Sequence, residues 1–362
     1  MTRQVKVKNI LIGGGAQIPV QSMLNVPTSD VSASMRQIKK LDKAGCDLVR
    51  LTVNDEAAAK ALPLIIAKSS VPLIADIHFD YRLALAALKA GIAKLRINPG
   101  NIGDSKRVKA VAEAAGKAGV PIRIGVNSGS LREDVKNKVL SGKLSLGEAM
   151  GRHALGEAKL LERFGFRDIV ISVKATNVPE TVRAYEFLHE NCDYPLHIGI
   201  TEAGTVEDAL LKSGAGLGHL LLKGIGDTLR ISITGPVEKE AEAGRKLLQY
   251  LGLRPFGPEV VSCPTCGRTQ VALEKVAESV GRALRSNKEL KDFDCKVAVM
   301  GCVVNGPGEA SAADVGLAGG KGYFLLFSKG KALRRVNPEE AVEALVKELL
   351  TLKNRKKAKI NK

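Results

Sequence analysis

The chain contains no tryptophan, and aromatic residues make up only 4% of its 362 positions. A protein that binds nucleic acid by stacking bases would need more aromatic surface than that, so nucleic acid is not the expected partner. Cysteine is sparse as well. The six residues, Cys46, Cys192, Cys263, Cys266, Cys295 and Cys302, are too few and too scattered for a disulfide scaffold, and they suit a reducing, cytoplasmic setting. No apolar run reaches the roughly 20 residues that a membrane-spanning helix requires. The opening MTRQVKVKNILIGGG lacks an apolar segment ending in a small-residue cleavage site, so no secretory signal is expected. Acidic residues are in deficit: 38 Asp and Glu face 55 Lys and Arg, a formal charge of +17. Such an excess calls for an acidic partner, either a phosphorylated small molecule, nucleic acid or an acidic protein. Part of it lies in the C-terminal KNRKKAKINK, which reads as a solvated, frayed basic tail over residues 353–362.

What is present is a repeating pattern. Strand-like runs recur at Pro19–Met23, Asp47–Val53, Pro72–Phe79, Lys94–Gly100, Pro121–Asn127, Asp168–Ala175, Pro195–Thr201 and Thr228–Ile233, with helical periodicity between them. The phrases KAGCD, KAGIAK and KAGVP put glycine where a helix ends in a left-handed cap. Eight strands alternating with helices in about 250 residues predict a (β/α)8 TIM barrel, here residues 1–253. The segment VKVKNILIGGGAQIPV before them reads as a hairpin able to plug the bottom of the barrel. The pattern stops near LGLRPFGPE, and residues 254–352 read as a second, small α/β domain.

Residues two apart in a strand share a face. Arg50 pairs in this way with Thr52, Asp76 with His78, Arg96 with Asn98, Ser172 with Lys174, and Arg230 with Ser232. Arg123 continues by the same parity to Asn127, and His197 to Thr201, with Glu202 just beyond. All lie late in their strands, at the end where barrels of this kind place active sites. One arginine there is usually a rim residue reaching for water. Four arginines and a lysine at equivalent points of five strands repel one another unless an anion joins them. Guanidinium groups match phosphate oxygens two at a time, which predicts a compact polyanion, most simply a diphosphate, in the barrel mouth. His78 and Glu202 are the candidates for proton transfer beside it.

In the second domain, Cys263 and Cys266 form the CxxC of SCPTC, and Cys302 follows on the strand–turn GCVVNGPGEA. Zinc, an iron–sulfur cluster and a redox dithiol are all open to this set. Structural zinc wants four ligands, and neither a second CxxC nor a later histidine is present. Cys295, at the start of a strand, reads as an ordinary core or surface cysteine. Three thiolates on Gly/Pro turns favour a cubane cluster with one iron held differently. The Gly-Pro-Gly turn could bring Glu309 round as that fourth, exchangeable ligand.

Together, QSMLNVPTSDV, ADIHFDYRLAL, LRINPGNIG, IRIGVNSGSL, HIGITEAG, GIGDTLRIS, CPTC and GCVVNGPGEA resemble, in order and over nearly the whole chain, the 4-hydroxy-3-methylbut-2-enyl diphosphate synthase family in its short bacterial form. The resemblance implies a [4Fe–4S] cluster on Cys263, Cys266, Cys302 and Glu309. It also implies reductive ring opening of 2-C-methyl-D-erythritol 2,4-cyclodiphosphate, with ferredoxin or flavodoxin as electron donor. By position in the matching motifs, Arg50, Arg96, Arg123, Asn127, Lys174, Arg230 and Ser232 would hold substrate, and Glu202 would donate a proton with His78 alongside. A homodimer in which one chain's cluster domain caps the other's barrel is implied as well. Leu24 and Val26 stand where related chains often carry threonines.

Overall fold

In the computed structural model, residues 1–131, 133–303, 308 and 310–360 are described, and Glu309, the expected fourth cluster ligand, lies outside them. The chain divides into two units, Met1–Arg254 and Pro255–Lys362.

The first unit opens with an antiparallel hairpin, β1 (Val5–Val7) and β2 (Ile10–Ile12). Strands and helices then alternate: β3 (Gln21–Met23), α1 (Val31–Lys43), β4 (Leu48–Thr52), α2 (Glu56–Lys68), β5 (Leu73–Asp76) and α3 (Tyr81–Lys89). Next come β6 (Lys94–Ile97), α4 (Ser105–Ala118), β7 (Ile122–Asn127), α5 (Glu133–Leu140), α6 (Leu146–Arg163) and β8 (Ile169–Lys174). The series ends with α7 (Val178–Asn191), β9 (His197–Ile198), α8 (Val206–Leu222), β10 (Thr228–Leu229) and α9 (Val237–Tyr250). The helices start where a short polar side chain can take an unpaired N–H: Asp30, Asp55, Asp104 and Asn177 accept from Ala33, Ala58, Arg107 and Glu180. The KAG glycines end them, with Gly45, Gly91 and Gly119 at φ of +76, +85 and +61°.

Strands β3 to β8 form one parallel sheet, and β9 pairs in parallel with β10. Single parallel bridges, Ile171 to Leu196 and Val20 to Leu229, join the two at both ends and close a ring of eight. Val5, Val7 and Ile12 of the hairpin pack with Leu48, Ile74, Ala93 and Val170, which lie just before or within the first two residues of their strands. The hairpin therefore plugs the N-terminal end and leaves the C-terminal end as the mouth. β9 and β10 are shorter than expected. The expected strand Thr228–Ile233 is regular only to Leu229, because beyond Arg230, whose N–H still donates to Ile198 O, the chain turns toward Glu240. Arg230 and Ser232 thus lie just past a strand instead of on it.

The second unit contains β11 (Glu259–Ser262), α10 (Leu273–Ser286), β12 (Lys296–Met300), β13 (Val315–Gly320), β14 (Tyr323–Ser328), β15 (Lys331–Val336) and α11 (Ala341–Ile360). The sheet runs in that strand order, β11, β12 and β13 parallel and the last two antiparallel. Val297, Val299, Leu317, Phe324 and Leu326 pack with Val280, Leu284, Leu345 and Leu349, which sets α10 and α11 on one face. Ala298, Met300, Ala318 and Phe327 occupy the other, with Ala310 and Ala313. The basic tail expected over residues 353–362 is helical as far as Ile360 instead of frayed, while Asn354, Arg355, Lys357 and Ala358 are solvent-exposed as expected. Lys356 explains why, since its Nζ lies 3.3 Å from Asp314 Oδ1 and 5.1 Å from the Phe293 ring, while Lys353 Nζ donates to Glu289 O. Strand β15, too charged to show an apolar alternation, was absent from the sequence reading.

Candidate active site

Register puts Asp76, Arg96 and Arg123 in one row, with Arg50 and Lys174 on the same inner face at other heights. Asp76 on β5 stands opposite Arg96 on β6, and Arg96 opposite Arg123 on β7, while Thr52 faces Asp76 and Met23 faces Arg50 on the neighbouring strands. Two same-face steps nearer the mouth, past Gly125 and Ser172, Asn127 faces Lys174. The buried Asp76 carboxylate receives Arg96 Nη1 at 3.1 Å and Arg50 Nε at 3.4 Å, with His78 Nε2 at 3.8 Å. Across the ring, Glu240 on α9 takes Arg230 through two bonds of 2.7 and 3.0 Å. Glu240 is itself fixed by Ser22 Oγ at 2.7 Å and Ile233 N at 3.1 Å. Arg123, 1% exposed, reaches Gln21 Oε1 at 3.5 Å. Lys174 Nζ lies 3.4 Å from Nε2 of the fully buried His197. A side chain at Gly125 would put its Cβ 2.4 Å from Arg96 Nε, so the guanidinium needs glycine there.

Five cations, Arg50, Arg96, Arg123, Lys174 and Arg230, therefore share two carboxylates. The electrostatics show the shortfall. Burial, then Arg50 and Arg96, hold the Arg123 pKa well below its ordinary value. Burial, then Arg123 and Arg230, do the same to Lys174, and burial brings Arg50 down to about 10 despite Asp76. Burial would push the Asp76 carboxyl up, but Arg50 and Arg96, with His78, more than reverse it, and its pKa is lowered. His197 is held neutral by burial and then by Arg123 and Lys174. Four buried donors, Gln21 Nε2, Lys94 Nζ, Arg96 Nε and Arg123 Nε, have no acceptor. A buried donor without a partner costs about 1–3 kcal/mol, more when charged. The repulsion among these cations is the kind of cost that an anion entering the mouth would lessen.

The remaining expected residues are less uniform. Asn98 is buried, and its Oδ1 accepts from Gly100 N at 3.2 Å; it shapes the turn after β6. Ser172 is buried beside the Tyr185 hydroxyl, which donates to His197 O at 2.7 Å. Asn127 is exposed at the end of β7, and the His78 side chain is 43% exposed at the rim. Glu202 caps no helix, since Thr205 begins α8. It accepts from Thr176 Oγ1 at 2.9 Å and holds φ at +51°, a conformation that costs a non-glycine residue of order 1–3 kcal/mol. Lys94, Gln21 and Glu240 were missed. Lys94 shares the parity of Arg96 and Asn98, and Glu240 interrupts the apolar stripe of Val237, Ala241, Gly244 and Leu248, so both signals were available.

In the second unit, Cys263 directly follows β11 and Cys302 follows β12, which are parallel neighbours, so both emerge at one end of the sheet. Gly301 N donates to Cys263 Sγ at 3.2 Å, and Gln270 N to Gly301 O at 3.0 Å, tying the CPTC loop to the approach to Cys302. Hydrogen bonds from the Arg268 backbone and side chain lower the Cys266 thiol pKa, favouring thiolate. No three Cys, His, Asp or Glu side chains converge on one point among the described residues. Three thiols at one sheet end, one receiving an N–H and one biased to thiolate, fit an iron–sulfur cluster in their donor chemistry. Cys295 is separate: it is buried, and its thiol is pushed up to about 12, chiefly by burial.

A closed parallel barrel with an under-neutralised cationic mouth, followed by a unit presenting cysteines at one sheet end, defines the class: a two-unit TIM-barrel enzyme. The chain belongs to the GcpE family, matching the GcpE TIM-barrel domain over residues 2–245 and the GcpE protein C-terminal domain over residues 259–351. It is 51% identical over 348 residues to a Geobacter sulfurreducens protein named 4-hydroxy-3-methylbut-2-en-1-yl diphosphate synthase (flavodoxin), covering 96% of this chain and 97% of that one. A Clostridium acetobutylicum protein of the same name is 49% identical over 349 residues, with 96% and 98% covered. Among solved structures, dihydropteroate synthase from Xanthomonas albilineans aligns with 69% of this chain and 97% of its own at 14% identity and a TM-score of 0.48. No helix among the described residues is long and apolar enough to cross a membrane.

Proposed function

We infer that the chain catalyses the reaction for which these relatives are named, forming (E)-4-hydroxy-3-methylbut-2-enyl diphosphate from 2-C-methyl-D-erythritol 2,4-cyclodiphosphate. The ring C–O bond to phosphate breaks and a hydroxyl leaves as water; two electrons are consumed, one proton completes the water, and the freed phosphate oxygen keeps its negative charge. The observation that carries the reading is the ring of cations that Asp76 and Glu240 leave only partly neutralised. Arg50, Arg96, Arg123, Lys174 and Arg230 take the diphosphate, and the phosphate freed by ring opening gains negative charge where these donors already point. Asp76 aims Arg50 and Arg96, and Glu240 aims Arg230. Asn127, Ser172 and Ser232 line the carbon end, and Asn98 shapes the turn beside Arg96. Glu202 holds the proton destined for the leaving hydroxyl, oriented by Thr176, with His78 at the opposite rim. A [4Fe–4S] cluster on Cys263, Cys266, Cys302 and Glu309 would supply the electrons singly.

The relatives' name narrows the donor from ferredoxin or flavodoxin to flavodoxin, an acidic protein suited to the +17 surface. A cytoplasmic homodimer completes the reading, and sedimentation of the active enzyme tests the dimer. The test of function is anaerobic reconstitution followed by EPR with and without the cyclic diphosphate, and mass detection of the product. A substrate-dependent change in the cluster signal, with product formed, is expected; a colourless, zinc-loaded protein making no product overturns the reading.

A further inference from the structure

Between Asp314 and Glu339 the chain carries five cationic residues, Lys321, Lys329, Lys331, Arg334 and Arg335, and no acidic one. All five are exposed, and among the described residues none has a carboxylate partner. Arg335 instead lies 4.5 Å from the centre of the Tyr323 ring. They gather on β15, the free edge of the second sheet, and on the turns that flank β14. Lysine and arginine on a free edge also deter strand-to-strand aggregation. That role accounts for lysine on the edge strand itself, but it gives no reason for every acidic residue to be missing from the flanking turns as well.

Register relates this edge to the cysteines. Arg335 is opposite Leu325, Leu325 opposite Ala318, and Ala318 opposite Met300, so the four form one row pointing to the same face. It is the face opposite α10 and α11. Met300 is two residues before Cys302, and Cys263 continues the β11 register into the same row. Three strand spacings of about 4.8 Å put the β15 backbone roughly 14 Å from that of β12. A partner covering some 800 Å², the ordinary size of a docking patch, spans that distance. Tyr323 supplies a flat aromatic floor between the two, its ring so close over Gly320 that a Cβ there would lie 2.4 Å from it.

We propose that the β14–β15 edge, through Lys321, Tyr323, Lys331, Arg334 and Arg335, is the docking surface for an acidic one-electron carrier protein. The proposal rests on the reductase reading above. Each docking passes one electron from the reduced carrier to the oxidised enzyme, and two dockings complete a turnover. Holoenzyme turnover is to be measured with reduced flavodoxin and, separately, with dithionite-reduced methyl viologen, in wild type, R334Q/R335Q and R334E/R335E. The expected result is a rise in the KM for flavodoxin of about tenfold or more in R334E/R335E, a smaller rise in R334Q/R335Q, and convergence with wild type as added salt screens the contact. Viologen-driven turnover stays within about twofold, because the small reduced viologen radical cation needs no protein docking site. An unchanged flavodoxin KM and salt dependence in both variants overturns the docking site and leaves the function intact. A wild type inactive with both reductants overturns the function instead. Equal losses with flavodoxin and viologen mean structural damage and also overturn the docking site.

Discussion

Replacing Asp76 by Asn tests the central electrostatic claim most directly. The carboxylate lies 3.1 Å from Arg96 and 3.4 Å from Arg50, with its side chain 2% exposed. At an effective dielectric of about 20, each contact is worth roughly 5 kcal/mol of gross attraction. Desolvation offsets much of that, and removing one partner of a buried pair typically costs about 3–5 kcal/mol. Asn keeps the shape and an acceptor oxygen but leaves Arg50 and Arg96 beside Arg123 with no neutralising charge. For a unit of 254 residues, about 2–4 °C per kcal/mol gives a fall in Tm of roughly 6–20 °C. Inorganic pyrophosphate restores the missing charge, so it raises the Tm of D76N more than that of wild type. Thermal unfolding of the holoenzyme followed by circular dichroism, with and without pyrophosphate, measures both effects. If D76N melts within about 2 °C of wild type and gains no more from pyrophosphate, the claim that Asp76 compensates repelling cations is refuted.

Glu240→Gln removes the charge that aims Arg230, and a rise in KM of about tenfold or more, with a smaller change in kcat, is expected in steady-state assays. Glu202→Gly relieves the left-handed strain and raises stability by about 1 kcal/mol, while kcat falls about 100-fold or more; equal stability with full turnover would remove Glu202 from the chemistry. His197 is buried neutral with its pKa lowered, so the unfolded chain binds the extra proton. Stability is therefore lost as pH falls below about 6.5, and H197F flattens that acid limb in urea titrations at pH 5–7. Cys266→Ser and Cys302→Ser lose the brown cluster absorbance on reconstitution, whereas Cys295→Ala, a buried core position, keeps it.

The two-residue parity of the strands, together with the rule that barrels act at their C-terminal ends, located Arg50, Asp76, Arg96, Arg123 and Lys174 without a structure. It worked because backbone pleating alone decides which face a strand residue takes. It failed where pairing ends early. Arg230 and Ser232 kept the alternation on paper, but a helix residue far along the chain, Glu240, determines where the Arg230 side chain lies. Asn98 shows a different limit: a short polar side chain before Pro-Gly can turn back on its own backbone, and the parity rule is blind to that. The ordered basic helix end was hidden for a third reason. Lys353 and Lys356 find their partners on elements more than 40 residues away in sequence, Glu289, Phe293 and Asp314, and composition alone reads such a segment as solvated.

The barrel closes through single bridges on either side of the short β9–β10 pair, so its ring has a seam. Lys174 stands on one bank of that seam and Arg230 follows the strand on the other, next to Gln21 and Met23 at the start of the circuit. An anion gripped by both is then more than cargo. If the proposed substrate binds there, it would work as a clasp on a hoop, giving the thinnest part of the wall a strap that the backbone does not supply.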